Sequence, residues 1–149
     1  MKILSGGPEL LDRIAPLWEE LNKYHMEKSI YFSEDIKLRQ FETRKNAIVS
    51  KAIHLRADIV MDLKEKRDIG YCVSTINDSN MGEIDSIFIR EQYRRNGIGR
   101  KLIETALAWL DDHGVVGKLL SVGSGNDEVI NFYKIFGFYP AAVYLVQKC

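Results

Sequence analysis

The sequence has few cysteines and carries no excess charge of either sign. Its two cysteines, Cys72 and Cys149, lie far apart without metal-ligand spacing around them, which argues against a disulfide framework and against a zinc site. The 21 Lys and Arg residues balance 21 Asp and Glu residues. The overall charge therefore gives no support for binding to nucleic acid or to a membrane surface.

Long apolar runs are also missing. No segment approaches the roughly 18 apolar residues that cross a bilayer, and the first residues lack the pattern of a secretion signal. The three prolines lie near the ends, and no repeat or Pro/Ser-rich linker interrupts the chain. These features predict a cytoplasmic protein with a single domain over residues 1–149, in which 46% hydrophobic residues suffice for one core.

The spacing of apolar residues predicts alternating helices and strands. Three- and four-residue spacing is typical of helices, and short β-branched or aromatic runs between turn residues are typical of strands. The predicted elements are, in chain order, a short strand at Ile3–Leu4, a helix from Leu10 to about His25, a helix that Ser33 caps and that runs towards Ala52, strands at His54–Leu63, Ile69–Ile76 and Glu83–Ile89, a helix through Leu102–Leu110, a strand at Leu119–Val122, a helix from Asn126 to Gly137, and a strand at Val143–Val146. This order predicts an α/β (α+β) fold, a mixed sheet with helices on its faces.

The segment Arg94–Gly99 combines two glycines, spaced two apart, with the predicted start of a helix. Such glycines let the backbone turn tightly with its N–H groups outward, which forms a seat for a diphosphate. The dinucleotide fingerprint is excluded because Leu102 stands where its third glycine belongs, and a Walker loop is excluded because Arg100 follows Gly99. Five basic residues and one acid between positions 90 and 101 give a local charge of +4. A strand-to-helix turn with a solvated basic flank is the alternative.

The two loop glycines Gly97 and Gly99, together with the downstream residues Asn126, Tyr133 and Gly137-Phe138, resemble two motifs of the GNAT superfamily of acyl-CoA-dependent N-acyltransferases. The family's Gln/Arg-x-x-Gly-x-Gly/Ala signature is matched by Arg94, Gly97 and Gly99, after the apolar strand Ile87–Ile89. A second family motif is matched by Asn126, Phe132-Tyr133 and Gly137-Phe138. The resemblance covers the chain from about Ile69 to its end and implies a mostly antiparallel, twisted sheet.

The resemblance also implies roles for individual residues. The strand backbone would bind the pantetheine arm of acetyl-CoA, the loop N–H groups would hold its pyrophosphate, and Tyr133 would direct its hydroxyl at the thioester sulfur. The implied cofactor-binding residues are Ile87, Phe88, Ile89, Arg94, Arg95, Asn96, Gly97, Ile98, Gly99, Arg100 and Asn126. No metal is implied.

The implied reaction is direct attack of an amine on the acetyl carbonyl, with the oxyanion bound by a backbone N–H near Ile89. A base must deprotonate the amine. Strand alternation would place Glu83 and Asp85 on the face of Ile87 and Ile89, and the resemblance, in which a strand carboxylate falls near Glu83, makes Glu83 the first candidate and Asp85 the second. Ordinary strand-edge acids are the alternative interpretation.

The sequence alone is compatible with three functions. They are an N-acetyltransferase for a small-molecule or peptide amine, a non-catalytic acyl-CoA-binding module, and a phosphate- or RNA-binding domain that uses the basic flank. Zero net charge and the lack of an aromatic platform interleaved with the basic residues weigh against the third. The final strand could pair with another chain, which would give a homodimer.

Overall fold

The computed structural model describes residues 1–148 and contains one five-stranded sheet within them. The strands are β1 (Lys2–Gly6), β2 (His54–Asp62), β3 (Arg67–Ile76), β4 (Met81–Ile89) and β5 (Gly117–Leu120). They lie in the order β1-β2-β3-β4-β5; β1 to β4 are antiparallel neighbours, whereas β5 runs parallel to β4. The parallel pair requires a crossover, and a helix provides it.

Five α-helices accompany the sheet in the described residues. They are α1 (Leu11–Lys28), α2 (Ser33–Lys37), α3 (Phe41–Lys51), α4 (Ile98–Asp112) and α5 (Glu128–Lys134). Short 3₁₀ turns at Pro8–Leu10 and Glu91–Tyr93 precede α1 and α4. The crossover helix α4 begins after Gly97 and ends at His113-Gly114, as its sequence predicts.

Two apolar clusters cover the two faces of the sheet. On the first, here called the α1 face, buried side chains of α1 and α3 pack on β2, β3 and β4; they include Leu17, Ile48, Tyr71 and Phe88. On the second, the α4 face, α4 and α5 pack on the opposite side of the same strands; its members include Cys72, Ile84, Leu102, Ile103 and Tyr133. The sheet is therefore buried on both sides.

A β-bulge in β4 reverses the expected alternation of its side chains. Val73 pairs with Ser86 and Ser74 pairs with Ile84, so Asp85 is an extra residue opposite β3. Past the bulge, Ile87 packs on the α4 face, whereas Lys51 of α3 contacts Asp85 from the α1 face. The prediction that Glu83 and Asp85 share a face with Ile87 and Ile89 is therefore wrong, because one inserted residue shifts the two-residue period.

Three other sequence predictions need correction. The helix expected from Ser33 to Ala52 is broken between α2 and α3, where Gln40 is extended and the buried Asn22 side chain donates to the carbonyl of Ile36. Ser33 lies within α2 rather than capping it, and its hydroxyl donates to the carbonyl of Met26. The strand expected at 119–122 begins two residues earlier.

The predicted last strand, Val143–Val146, has no regular structure in this chain. Its residues are strand-forming, but a strand needs a partner with free backbone groups. Within the described residues the segment pairs with no strand, although the outer edges of β1 and β5 are unpaired.

Candidate active site

A split in the sheet exposes one edge of β4. The parallel pairing of β4 with β5 ends at Ile84 and Leu120, so the second half of β4 has no neighbour on that side within residues 1–148. The N–H of Arg90 donates to the carbonyl of Ile69 on β3. Because backbone groups of a strand alternate in direction, those of Ile87 and Ile89 point into the split.

The loop before α4 has the conformation that its glycines predict. Gly97 is the residue preceding the helix and has φ of +77°, a left-handed conformation that favours glycine. The first backbone bond of α4 runs from the N–H of Lys101 to the carbonyl of Gly97. The preceding N–H groups, from Ile98 to Arg100, therefore lack helical acceptors and are free for an anion.

Side-chain contacts reduce the positive charge that the loop presents. Arg90 forms an ion pair with Glu20 at 2.8 Å, and Arg100 forms one with Glu104 at 2.8 Å. Arg94 donates to the carbonyl of Ile89 at 2.8 Å, and its guanidinium lies over the rings of Tyr24 and Phe88. In the part of the chain that the structure describes, the two cations of the segment without a partner are Arg95 and Lys101.

The open edge of β4, the start of α4 and helix α5 meet at Gly99. A Cβ added to Gly99 would lie 3.2 Å from Cδ1 of Ile89 and 3.6 Å from Cζ of Phe132. Any larger side chain would have to displace one of these neighbours. Even a Cβ would shift the end of the Ile89 side chain slightly, so a small residue is favoured here, and the close approach places the N–H groups of α4 beside the split.

Tyr133 belongs to the same junction and packs on the α4 face. Its hydroxyl has no hydrogen-bond partner among residues 1–148. Burial raises the pKa of Tyr133 to about 12, with a further contribution from the neighbouring Cys72 thiol. The phenol is therefore a neutral donor throughout the physiological range.

The carboxylates Glu83 and Asp85 lie on the other face of β4, around one ammonium group. Nζ of Lys51 is 2.8 Å from Oε1 of Glu83 and also contacts Oδ1 of Asp85. Thr75 donates to Oδ2 of Asp85 at 2.6 Å, and the guanidinium of Arg44 donates to the Asp85 carbonyl. Burial raises the pKa of Asp85, although the bonds from Lys51 and Thr75 oppose this.

The end of α1 reaches across the split to the loop between β5 and α5. The hydroxyl of Tyr24 lies 3.3 Å from Oδ1 of Asn126 and 3.2 Å from Oε1 of Glu128, which also pairs with Lys28. At Gly125, with φ of +97°, an added Cβ would lie 2.0 Å from the carbonyl oxygen of Lys28. The two backbones therefore touch, and the contact bounds the open end of the split.

The profile of the acetyltransferase (GNAT) family matches residues 17–138. The chain belongs to this family. An uncharacterized N-acetyltransferase of Chlorobaculum tepidum is 33% identical over 95 residues, which are 63% of this chain and 57% of that relative. The match thus spans little more than half the length of the curated relative.

Solved structures share the GNAT fold over nearly the whole chain. A putative acetyl transferase from Pyrococcus furiosus has a TM-score of 0.75 at 17% identity, over 99% of this chain and 100% of that one. The aminoglycoside N-acetyltransferase AAC(6')-Iy, solved in complex with CoA, has a TM-score of 0.66 at 16% identity, over 99% and 100% of the two chains. Identities this low establish the fold alone.

The structure brings most of the sequence-predicted GNAT residues to the split, and it adds three that the sequence does not reveal. Ile87, Ile89, the loop before α4 and Tyr133 adjoin the split, whereas the carboxylates of Glu83 and Asp85 lie on the α1 face of β4. The added residues are Lys51, Tyr24 and Lys28. Their contacts are long-range, and no local pattern marks them.

Residues 1–148 contain no group of three or more His, Cys, Asp or Glu side chains placed to hold a metal ion. None of the helices described has both the length and the apolar character needed to cross a membrane.

Proposed function

We propose that this GNAT-family chain is an N-acetyltransferase that transfers the acetyl group of acetyl-CoA to a primary amine of a small molecule or a peptide. The observation that carries the proposal is the junction at Gly99, where the open edge of β4, the free N–H groups of α4 and helix α5 meet. Membership of the GNAT family supports acetyl transfer in general.

The loop residues fit the diphosphate of acetyl-CoA. Space is free around Gly97, where an added Cβ would meet no atom within 4 Å. Beside the loop lies a groove of about 470 Å³, lined by Met1, Ile3, Val60, Asn96, Gly97, Ile98 and Lys101. The N–H groups of the first turn would bind the phosphates, and Lys101 and Arg95 would add positive charge. When bound, acetyl-CoA supplies the activated acetyl group.

The backbone of β4 and the phenol of Tyr133 would act at the thioester. The groups of Ile87 and Ile89 that point into the split would bind the extended arm as a neighbouring strand does. An N–H near Ile89 would stabilise the negative charge that develops on the acyl oxygen. Tyr133 would donate a hydrogen bond to the departing sulfur.

The amine would approach from the α1 face, where the carboxylates of Glu83 and Asp85 lie around Lys51. Glu83 is our first choice for the base, since its side chain is 24% exposed, whereas that of Asp85 is 0% exposed. Burial raises the pKa of Asp85 and makes its carboxylate a better proton acceptor than an ordinary aspartate, so Asp85 stays the second choice. Most of the acceleration would come from holding the two substrates together.

One observation favours a second candidate, a non-catalytic acyl-CoA-binding module. Both candidate bases contact the same ammonium group of Lys51, and a carboxylate held by a cation is a weaker proton acceptor. The residues that bind the cofactor would be the same in the enzyme and in the binding module. Only the transfer to an amine distinguishes them.

Calorimetry with CoA tests whether the loop before α4 binds the cofactor. Gly97→Glu should abolish binding by bulk and charge, and Gly114→Glu is the matched control, since Gly114 also has a positive φ and open space but lies at the other end of α4. Failure of the wild type to bind at millimolar CoA, or normal binding by Gly97→Glu, would refute the proposal.

A screen of amines then separates the two candidates. Release of free thiol from acetyl-CoA is measured with a panel of small and peptide amines. Acceleration by any amine supports transfer. If CoA binds and no amine accelerates its release, the binding module is the better description.

A further inference from the structure

The rings of His54 and His113 lie together at the end of α4 that is remote from the proposed cofactor loop. His54 is the first residue of β2, and His113 follows the last residue of α4. Their ring centroids are 5.0 Å apart, with an angle of 49° between the ring planes. Both side chains are exposed, so ions in solution can reach them. The pair has no part in the acetyl transfer proposed above.

The alternation of β2 places His54 on the face of the sheet that α4 covers. Val60 of β2 packs on the α4 face, and the register of β2 against β3 is unbroken from His54 to Val60. Residues two apart on a strand share a face, so His54 lies on the α4 face as well. At the same end of the sheet, the side-chain amide of Asn80 donates to the carbonyl of Gly114 at 2.9 Å. This bond fixes the end of α4 against the turn between β3 and β4.

The ring of His113 is oriented by the backbone of its own helix. Its Nδ1 lies 2.9 Å from the carbonyl oxygen of Trp109, and the centroid of the Trp109 ring is 4.9 Å from that of His113. A carbonyl oxygen only accepts, so Nδ1 carries the proton and the lone pair of Nε2 is free in the neutral ring. An imidazole that binds a metal commonly donates its other N–H in this way, which fixes its tautomer and its orientation.

The separation of the two rings suits one metal ion between them. An ion about 2.0–2.1 Å from each ring nitrogen lies about 3.2 Å from each centroid, and ligand angles of about 90–110° then put the centroids about 4.5–5.2 Å apart. The observed 5.0 Å falls within this interval. The C-terminal end of α4 carries partial negative charge, which favours a cation. Arg56, the next residue on the same face of β2, is paired with Asp58 at 3.0 Å and therefore opposes a cation less.

We infer that His54 and His113 together bind a divalent transition-metal ion that prefers imidazole, such as Ni²⁺ or Cu²⁺, with water in the remaining positions. Ring nitrogens are favoured ligands of these ions, whereas Mg²⁺ prefers oxygen. Among residues 1–148 no third His, Cys, Asp or Glu side chain is placed to enlarge the set. The site is therefore open and exchangeable, and the bound ion links β2 to the end of α4.

Proton NMR of the full chain with NiCl₂ tests the inference on the wild type. The sequence has three histidines, and Ni²⁺ is paramagnetic, so each ring reports on its own distance from the ion. Substoichiometric NiCl₂ should broaden the ring signals of His54 and His113 together, while those of His25 on α1 stay sharp. Broadening of only one ring of the pair, of neither, or of all three equally overturns the inference.

Calorimetry measures the affinity and its dependence on each ring. One Ni²⁺ should bind per chain, and MgCl₂ should not bind. His54→Gln and His113→Gln should each lower the Ni²⁺ affinity at least about 10-fold, since even the loss of an outer-shell partner costs this much. His25→Gln is the matched control and should bind as the wild type does. Failure to saturate at millimolar NiCl₂, wild-type affinity in either variant of the pair, or an equal loss in His25→Gln contradicts the inference.

The outcome is independent of the proposed function. The 15 residues of α4 span about 22 Å and separate the pair from Gly97, and neither measurement contains CoA. The NMR experiment needs no variant, so a substitution that impairs folding does not leave the inference undecided.

Discussion

Replacement of Tyr133 by Phe tests how the leaving sulfur is stabilised. The phenol has a pKa raised to about 12 by burial, whereas a thiol in water has a pKa of about 8.5. Complete transfer of the proton to the thiolate would therefore be unfavourable by roughly 3.5 units, or about 5 kcal/mol. We accordingly expect Tyr133 to keep its proton and to donate a hydrogen bond to the developing negative charge.

The loss on replacement follows from the strength of such a bond. A hydrogen bond to a charged group contributes about 1.5–3 kcal/mol, so Tyr133→Phe should lower kcat about 10- to 150-fold. The affinity for CoA should change little, because the interaction is made mainly in the transition state. Thiol release with an accepted amine measures kcat, and calorimetry measures CoA affinity.

The pH profile gives a second, independent check. A phenol with a pKa near 12 stays neutral up to about pH 11, so Tyr133 should produce no alkaline decline between pH 7 and 10. Tyr139→Phe removes the same hydroxyl from an exposed position and serves as the control. The reasoning is refuted if Tyr133→Phe raises KM without changing kcat, or if the wild type shows an alkaline decline near pH 10 that the variant lacks.

Three further predictions concern groups around the split. Lys51→Met removes the cation beside the carboxylates, so the pKa of Asp85 should rise further. The acid limb of the pH–rate profile should then move to higher pH. If the limb does not move, Asp85 is not the base. Gly125→Ala should lower the free energy of unfolding by about 1–3 kcal/mol, because its Cβ would lie 2.0 Å from the carbonyl oxygen of Lys28; wild-type stability in urea would contradict the close contact. Burial lowers the pKa of His25. Below about pH 6.5 the unfolded chain therefore takes up a proton that the folded chain does not. The free energy of unfolding should fall as pH decreases, by at most about 1.4 kcal/mol per pH unit. His25→Gln should weaken this decline in denaturant titrations at pH 7.5 and 5.5, and an equal decline in both proteins would exclude His25 as its source.

The parts of the site that the sequence predicts are those that local chemistry determines. Gly97 has the left-handed backbone that its position before α4 requires, and the helix begins at Ile98. The spacing from Asn126 to Tyr133 is likewise a property of one loop and one helix. Strands β2 to β4 were also predictable, because short turns join them and fix an antiparallel order.

The parts that the sequence does not predict depend on pairing between distant segments. The bulge at Asp85 exists only against β3, and it moves the carboxylates to the α1 face. Lys51 is one of many lysines until the packing of α3 brings it to β4. Val143–Val146 shows the same dependence on pairing, since these strand-forming residues are irregular where they pair with no neighbouring strand.

At the split in the sheet, main-chain groups and side chains have different roles in the proposed function. Its inner edge presents the backbone of Ile87 and Ile89, to which an extended arm with amide groups would pair as a neighbouring strand does. Backbone recognition depends little on side-chain identity, and it therefore cannot select among amines.

Selection of the acceptor must come from side chains on the α1 face, where Glu83 and Leu119 lie beside each other on paired strands and both are accessible. Variants at Leu119 should consequently change which amines are accepted while leaving CoA affinity unaltered, as an amine panel and calorimetry on the same variants would measure. Equal loss of CoA binding would place Leu119 in the cofactor site instead.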